Sequence, residues 1–116
     1  MARLVANAIL EKKGEDVVIL HIGERSSIAD YFVIATAHSE RQLRALAASI
    51  EDALRPHGER PLGSEGLTGS QWALVDFGSV VAHLFHDEAR FIYDLEGLWQ
   101  GAKHVLVEDV RAAAAP

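Results

Sequence analysis

The stretch VVAHLFHDEARFIYDLEGLW, residues 80–99, places His83 three residues before His86, with Asp87 and Glu88 directly after. Imidazole nitrogens and carboxylate oxygens are the ligands of divalent-metal sites and the commonest general acids and bases, so this cluster has the composition of a metal or proton-transfer site. The element that carries it decides. On a helix, residues three apart share a face; on a strand they project to opposite sides.

The flanking chain reads as strand. QWALVDF and VVAHLFH surround Gly78-Ser79, and two strand-like runs separated by a Gly-x loop signal a tight hairpin. With that loop, Trp72 pairs with Phe85, Leu74 with His83 and Asp76 with Val81. Alternation then puts Ala73, Val75, Phe77, Val80, Ala82 and Leu84 on one apolar face, which is the expected core. The other face carries Trp72, Leu74, Asp76, Val81, His83 and Phe85, a mixture expected to form an exposed recognition surface. His83 and His86 fall on opposite faces, so no metal site is expected. His83 joins the recognition face and His86 ends the strand. Asp87 and Glu88 open a helix, whose positive end carboxylates complement by roughly 0.3–1 kcal/mol each. Phe91, Ile92, Leu95, Leu98 and Trp99 are expected on one side of that helix, with Gly97 and Gly101 as points of interruption.

The rest of the chain supplies the scaffold. Leu4, Val5, Ala8 and Ile9 recur at helical spacing, predicting a helix over 3–13. The apolar, β-branched runs at 16–22 and 31–37 predict strands covered on both faces; Asp30 reads as a turn or capping residue between them. Ser39 and Gln42 have capping-box spacing and open a helix with Leu43, Leu46, Ala47, Ile50 and Leu54 in one stripe, ending around 55–58. Residues 60–65 can hold a short strand that Pro61 restricts to an edge or a first position. The run 103–110 is either strand or helix. Length fits one domain, 1–116, with its core over about 3–100 and a frayed tail at 110–116.

Composition narrows the function. The 116 residues are 49% hydrophobic and carry 17 acidic against 11 basic side chains, a formal net charge of −6. That balance disfavours phosphate-driven or sequence-specific nucleic-acid binding and suits a basic protein partner. The absence of cysteine excludes disulfides, thiolate nucleophiles and Cys-ligated zinc. The N-terminal stretch lacks a long apolar run, which leads to the expectation of a cytoplasmic protein without membrane association. A nucleotide- or metal-dependent transferase is the alternative to consider, because GSVVAH begins with a Gly-Ser of the kind that sits beside a phosphate. No Asp-x-Asp follows to hold two metal ions, and neither a nucleophile elbow nor a phosphate-binding loop is present. No catalytic residue and no cofactor is expected. Trp72, sharing a face with Asp76 and His83, is the side chain with the strongest claim to function, as a protein-binding anchor. Because isologous dimers are the commonest oligomers, a homodimer through exposed sheet surface is compatible with that role.

SSIADYFVIATAHS (26–39), EGL (65–67), WALVDFGSVVAHLFHDEAR (72–90) and YDLEGLW (93–99), in this order, resemble the ribosomal silencing factor family, also called RsfS or Iojap. The resemblance spans about residues 4–100. It implies an α/β (α+β) fold, a mixed five-stranded sheet flanked by helices, nucleotidyltransferase-like without the catalytic carboxylates. It further implies binding to ribosomal protein fourteen of the large subunit, steric prevention of subunit joining, and repression of translation when nutrients are scarce. The family's contact surface maps onto Trp72 and the nearby hairpin; the face argument extends it to Leu74, Asp76 and His83. Two departures stand out. Gly78-Ser79 replaces the family's usual Gly-Asp, and Ala37-His38-Ser39 replaces Gly-Thr-Ser.

Overall fold

The computed structural model describes residues 1–23, 27–66, 71–99 and 101–105. The N-terminal apolar stripe forms α1 (Ala2–Glu11), burying Val5, Ala6, Ala8 and Ile9. Strands β1 (Glu15–His21) and β2 (Tyr31–Ala37) follow and pair antiparallel. The register of β1 shifts between Glu15 and Val18, where Asp16 is left-handed at φ 50°, a conformation that Asp tolerates better than most residues.

Helix α2 (Glu40–Leu54) starts where Ser39 Oγ accepts the Gln42 N–H at 3.0 Å. The return bond of the capping box falls one residue early, because Gln42 Oε1 accepts the N–H of His38, not that of Ser39. Leu43, Leu46, Ile50 and Leu54 are buried along the helix, each stabilising the fold by about 1.5–3 kcal/mol. A 3₁₀ turn at Arg55–His57 and left-handed Gly58 end it.

The edge strand expected near Pro61 is β3 (Gly63–Glu65), beside β4 (Trp72–Asp76). β4 and β5 (Val80–His86) form the hairpin in the expected register, with Trp72 opposite Phe85, Leu74 opposite His83 and Asp76 opposite Val81. Asp76 Oδ1 accepts the Gly78 N–H at 2.7 Å, and left-handed Gly78 (φ 86°) makes the turn.

The single helix expected after His86 is instead two, α3 (Asp87–Tyr93) and α4 (Leu95–Leu98). Part of the unassigned run 103–110 forms β6 (Lys103–Val105), antiparallel to β1. The expected tail at 110–116 lies outside the described residues.

These strands make one mixed sheet in the order β3-β4-β5-β2-β1-β6, with β2 and β5 parallel. The sheet has six strands, not five, because β6 adds an edge. Helices α1 and α2 cover one face through Val5, Ile9, Leu46 and Ile50 packed with Val33, Val75, Ala82 and Leu84. Ala89 of α3 and Leu95 of α4 cover the other, over Leu20, Phe32, Ile34, Val81 and Phe85. β2, central and almost wholly buried, is apolar on both faces for that reason. Among the described residues, no helix is long and apolar enough to cross a membrane.

Candidate partner-binding surface

The all-apolar hairpin face lies in the core as expected, with Ala73, Val75, Phe77, Val80, Ala82 and Leu84 buried. The second face departs from expectation. Val81, Phe85 and His83 are also buried, His83 being only 5% exposed. His83 therefore cannot form part of an exposed recognition surface. Alternating aromatic and polar types on a strand do not reveal whether another segment packs over them. Here Phe32 of β2 meets His83 edge-on at 4.5 Å, with the Trp72 and Phe85 rings at 5.8 and 6.5 Å, so neighbouring aromatic rings enclose the imidazole.

Exposure survives along the rim of this face. Trp72, Leu74 and Asp76 are half-buried on β4. The Trp72 indole stacks on Phe85 at 5.0 Å and meets Tyr93 at 4.8 Å. Its Nε1–H donates to His83 Nδ1 at 3.2 Å. An indole nitrogen can only donate, so His83 Nδ1 is the acceptor and the ring is neutral with its proton on Nε2. Burial, opposed only by the charge of Asp76, lowers the His83 pKa to about 4 and so keeps the acceptor form.

Sequence reasoning missed the contribution of α3. Asp94 adopts left-handed φ 41° and its carboxylate caps α4 by accepting the Gly97 N–H at 3.2 Å. The break rotates the apolar stripe out of register. Leu95 is buried, but Phe91, Ile92 and Leu98 are 86%, 73% and 77% exposed and Tyr93 is half-exposed. Tyr93 thus flanks Trp72 as a second aromatic at the surface. Its sequence signal is the Asp94-x-x-Gly97 spacing of an Asp cap.

On the other flank of α3, a cleft of about 880 Å³ opens over β1 and β2. His38 bridges its mouth, with Nε2 2.6 Å from Glu15 Oε2 and Nδ1 2.5 Å from Asp87 Oδ1. The hydrogen bond to Glu15 first, then that to Asp87, raises its pKa. Arg90 reaches inside, donating Nε to Glu96 and Nη1 to Thr36 Oγ1 and the Asp16 carbonyl. These charges satisfy one another. Among the described residues, no group of three or more His, Asp or Glu side chains could hold a metal ion. His86 ends β5 and is the N-cap residue of α3, its Nε2 3.2 Å from the His38 carbonyl. Asp87 and Glu88 occupy the first turn of α3.

A layered α/β domain whose cleft charges are held in ion pairs beside a braced aromatic rim has the form of a binding module. Comparison with known proteins specifies the module. The whole chain, residues 1–116, matches the family described as ribosomal silencing factor during starvation. Ribosomal silencing factor RsfS of Halalkalibacterium halodurans is 38% identical over 95% of this chain and 94% of its own length. That of Bacillus subtilis is 38% identical over 86% of this chain and 85% of its own. A crystal structure of a Chromobacterium violaceum protein superposes with a TM-score of 0.82 at 38% identity, covering 87% of this chain and 84% of that one. The chain belongs to the ribosomal silencing factor family, whose members are regulatory proteins and not enzymes.

Proposed function

We propose that this protein acts in the cytoplasm by binding the large ribosomal subunit through ribosomal protein fourteen. Seated on the face that meets the small subunit, it blocks subunit joining sterically and lowers translation under nutrient limitation. Trp72 is the anchor, with Leu74 and Asp76 beside it on β4 and Tyr93 completing the aromatic edge. His83 acts from beneath that surface.

The observation that carries this function is the partly buried Trp72 at the rim of the sheet, held between Phe85 and Tyr93. Rigid aromatic side chains of this kind lose little conformational freedom on binding and dominate interface energies. The net charge of −6 adds long-range attraction to a basic ribosomal protein and disfavours attachment to bare RNA. Sedimentation with isolated large and small subunits at several salt concentrations is the test. Binding to large subunits alone, weakening as salt rises, is expected; equal binding to both subunits contradicts the proposal.

A further inference from the structure

Building on the docking function above, we propose that His83 is a positioning residue for that surface, fixing the indole of Trp72 through its Nδ1 while touching no partner itself. A nearly sealed imidazole in an apolar layer is unfavourable unless its polar atoms are satisfied. Nδ1 takes the Trp72 N–H at 3.2 Å, whereas the buried Nε2 has no hydrogen-bond partner among the described residues. Among the described residues, this ring's one hydrogen bond is therefore that to the Trp72 side chain at the surface. Phe32, edge-on at 4.5 Å, and Phe85, stacked at 6.5 Å, limit the ring's rotation.

Among the described residues, these neighbours constrain Trp72 in two ways. Phe85 and Tyr93 set the plane of the indole, and His83 sets which edge turns inward. Without His83, a rotated indole can keep stacking while presenting a different edge. Because the inward edge carries the indole's one donor, a partner meets Trp72 through its ring carbons. The matching surface is an aliphatic side chain or the stem of a Lys or Arg packed on the ring face.

Replacing His83 with Leu removes the acceptor at similar volume, while His83→Asn places an amide oxygen near the position of Nδ1. Hydrogen exchange of the Trp72 indole N–H, assigned in a Trp99→Phe background, reads the local bond. Slow exchange is expected in the parent and the Asn variant, with at least tenfold faster exchange in the Leu variant. Affinity for isolated large subunits should fall tenfold or more in His83→Leu and stay within about threefold in His83→Asn, thermal unfolding confirming that each is folded. Unchanged indole exchange in His83→Leu overturns the positioning role, as does fast exchange with unchanged affinity. If the parent protein itself fails to bind large subunits, the docking function falls first and the positioning role with it. Nitrogen NMR of the unsubstituted protein gives a test that needs no variant. A neutral Nε2–H tautomer is expected for His83, and an Nδ1–H tautomer overturns the proposal.

Discussion

Replacing Arg90 with Met removes the guanidinium that ties α3 to the sheet. The Arg90 side chain is 11% exposed and donates to Glu96 at 2.9 Å, to Thr36 Oγ1 at 2.9 Å and to the Asp16 carbonyl. The three acceptors fare differently when it is lost. Asp16 is exposed and its carbonyl regains water. Glu96, whose side chain is 34% exposed, is partly rehydrated and so contributes toward the low end of about 1.5–3 kcal/mol for a charged hydrogen bond. Thr36 is buried at 6% exposure, and its hydroxyl, losing this donor, adds about 1–2 kcal/mol. The sum is about 3 kcal/mol, or a melting temperature lowered by roughly 12 °C for a domain of this size. Urea unfolding followed by circular dichroism measures it. Arg90→Lys should recover less than half, because a single ammonium cannot reproduce the guanidinium fork. A cost for Arg90→Met below about 0.5 kcal/mol, the range of ordinary surface substitutions, would refute the anchoring role.

Other expectations concern the clamp, the hairpin edge and the broken helix. Since its neighbours raise the pKa of His38, its stabilising effect is fully present below the unfolded value near 6.5 and is lost as pH rises through the higher folded value. Urea unfolding of His38→Gln against the parent should therefore show the larger deficit at pH 5.5 and convergence in alkali; a deficit growing with pH contradicts the bridge. Gly66→Ala forces a Cβ against the Trp72 carbonyl oxygen at φ 72°, so it should cost about 1–3 kcal/mol in thermal unfolding, and a neutral result would show that β3 does not close against Trp72 in this way. Ile92→Gln should change stability by less than about 0.5 kcal/mol, whereas a loss above about 2 kcal/mol would return Ile92 to a core stripe.

Local patterns in the sequence carried much of this structure. The hairpin register followed from the two-residue loop and strand alternation, and α2 from its cap and stripe. What remained hidden depended on contacts between distant segments. His38, Glu15 and Asp87 meet across separations of 23 and 49 residues, and no local spacing announces such a meeting. The left-handed turn at Asp94 broke a periodic stripe that is consistent with one unbroken helix, and so Phe91, Ile92 and Leu98 read as one side of a single helix with Leu95. The same break sets Tyr93 against Trp72 and Phe85, while Phe32 of β2 packs on His83 from a strand distant in sequence, leaving Trp72, Leu74 and Asp76 as the rim. Three-residue β6 is too short to carry a period of its own. The family resemblance pointed to Trp72, but only the three-dimensional arrangement shows that Tyr93 braces it.

In the proposed function, the Trp72 edge occupies ground the small subunit needs. Light scattering of purified large and small subunits, mixed with and without this protein, follows joining directly. The unsubstituted protein should suppress the scattering rise in proportion to its occupancy of the large subunit. Trp72→Ala, shown to be folded at the assay temperature, should lose most of that suppression, its affinity falling by about 2 kcal/mol, close to thirtyfold. Undiminished joining at saturating parent protein would contradict the steric block, and full suppression by a folded Trp72→Ala would contradict the role of Trp72 as anchor.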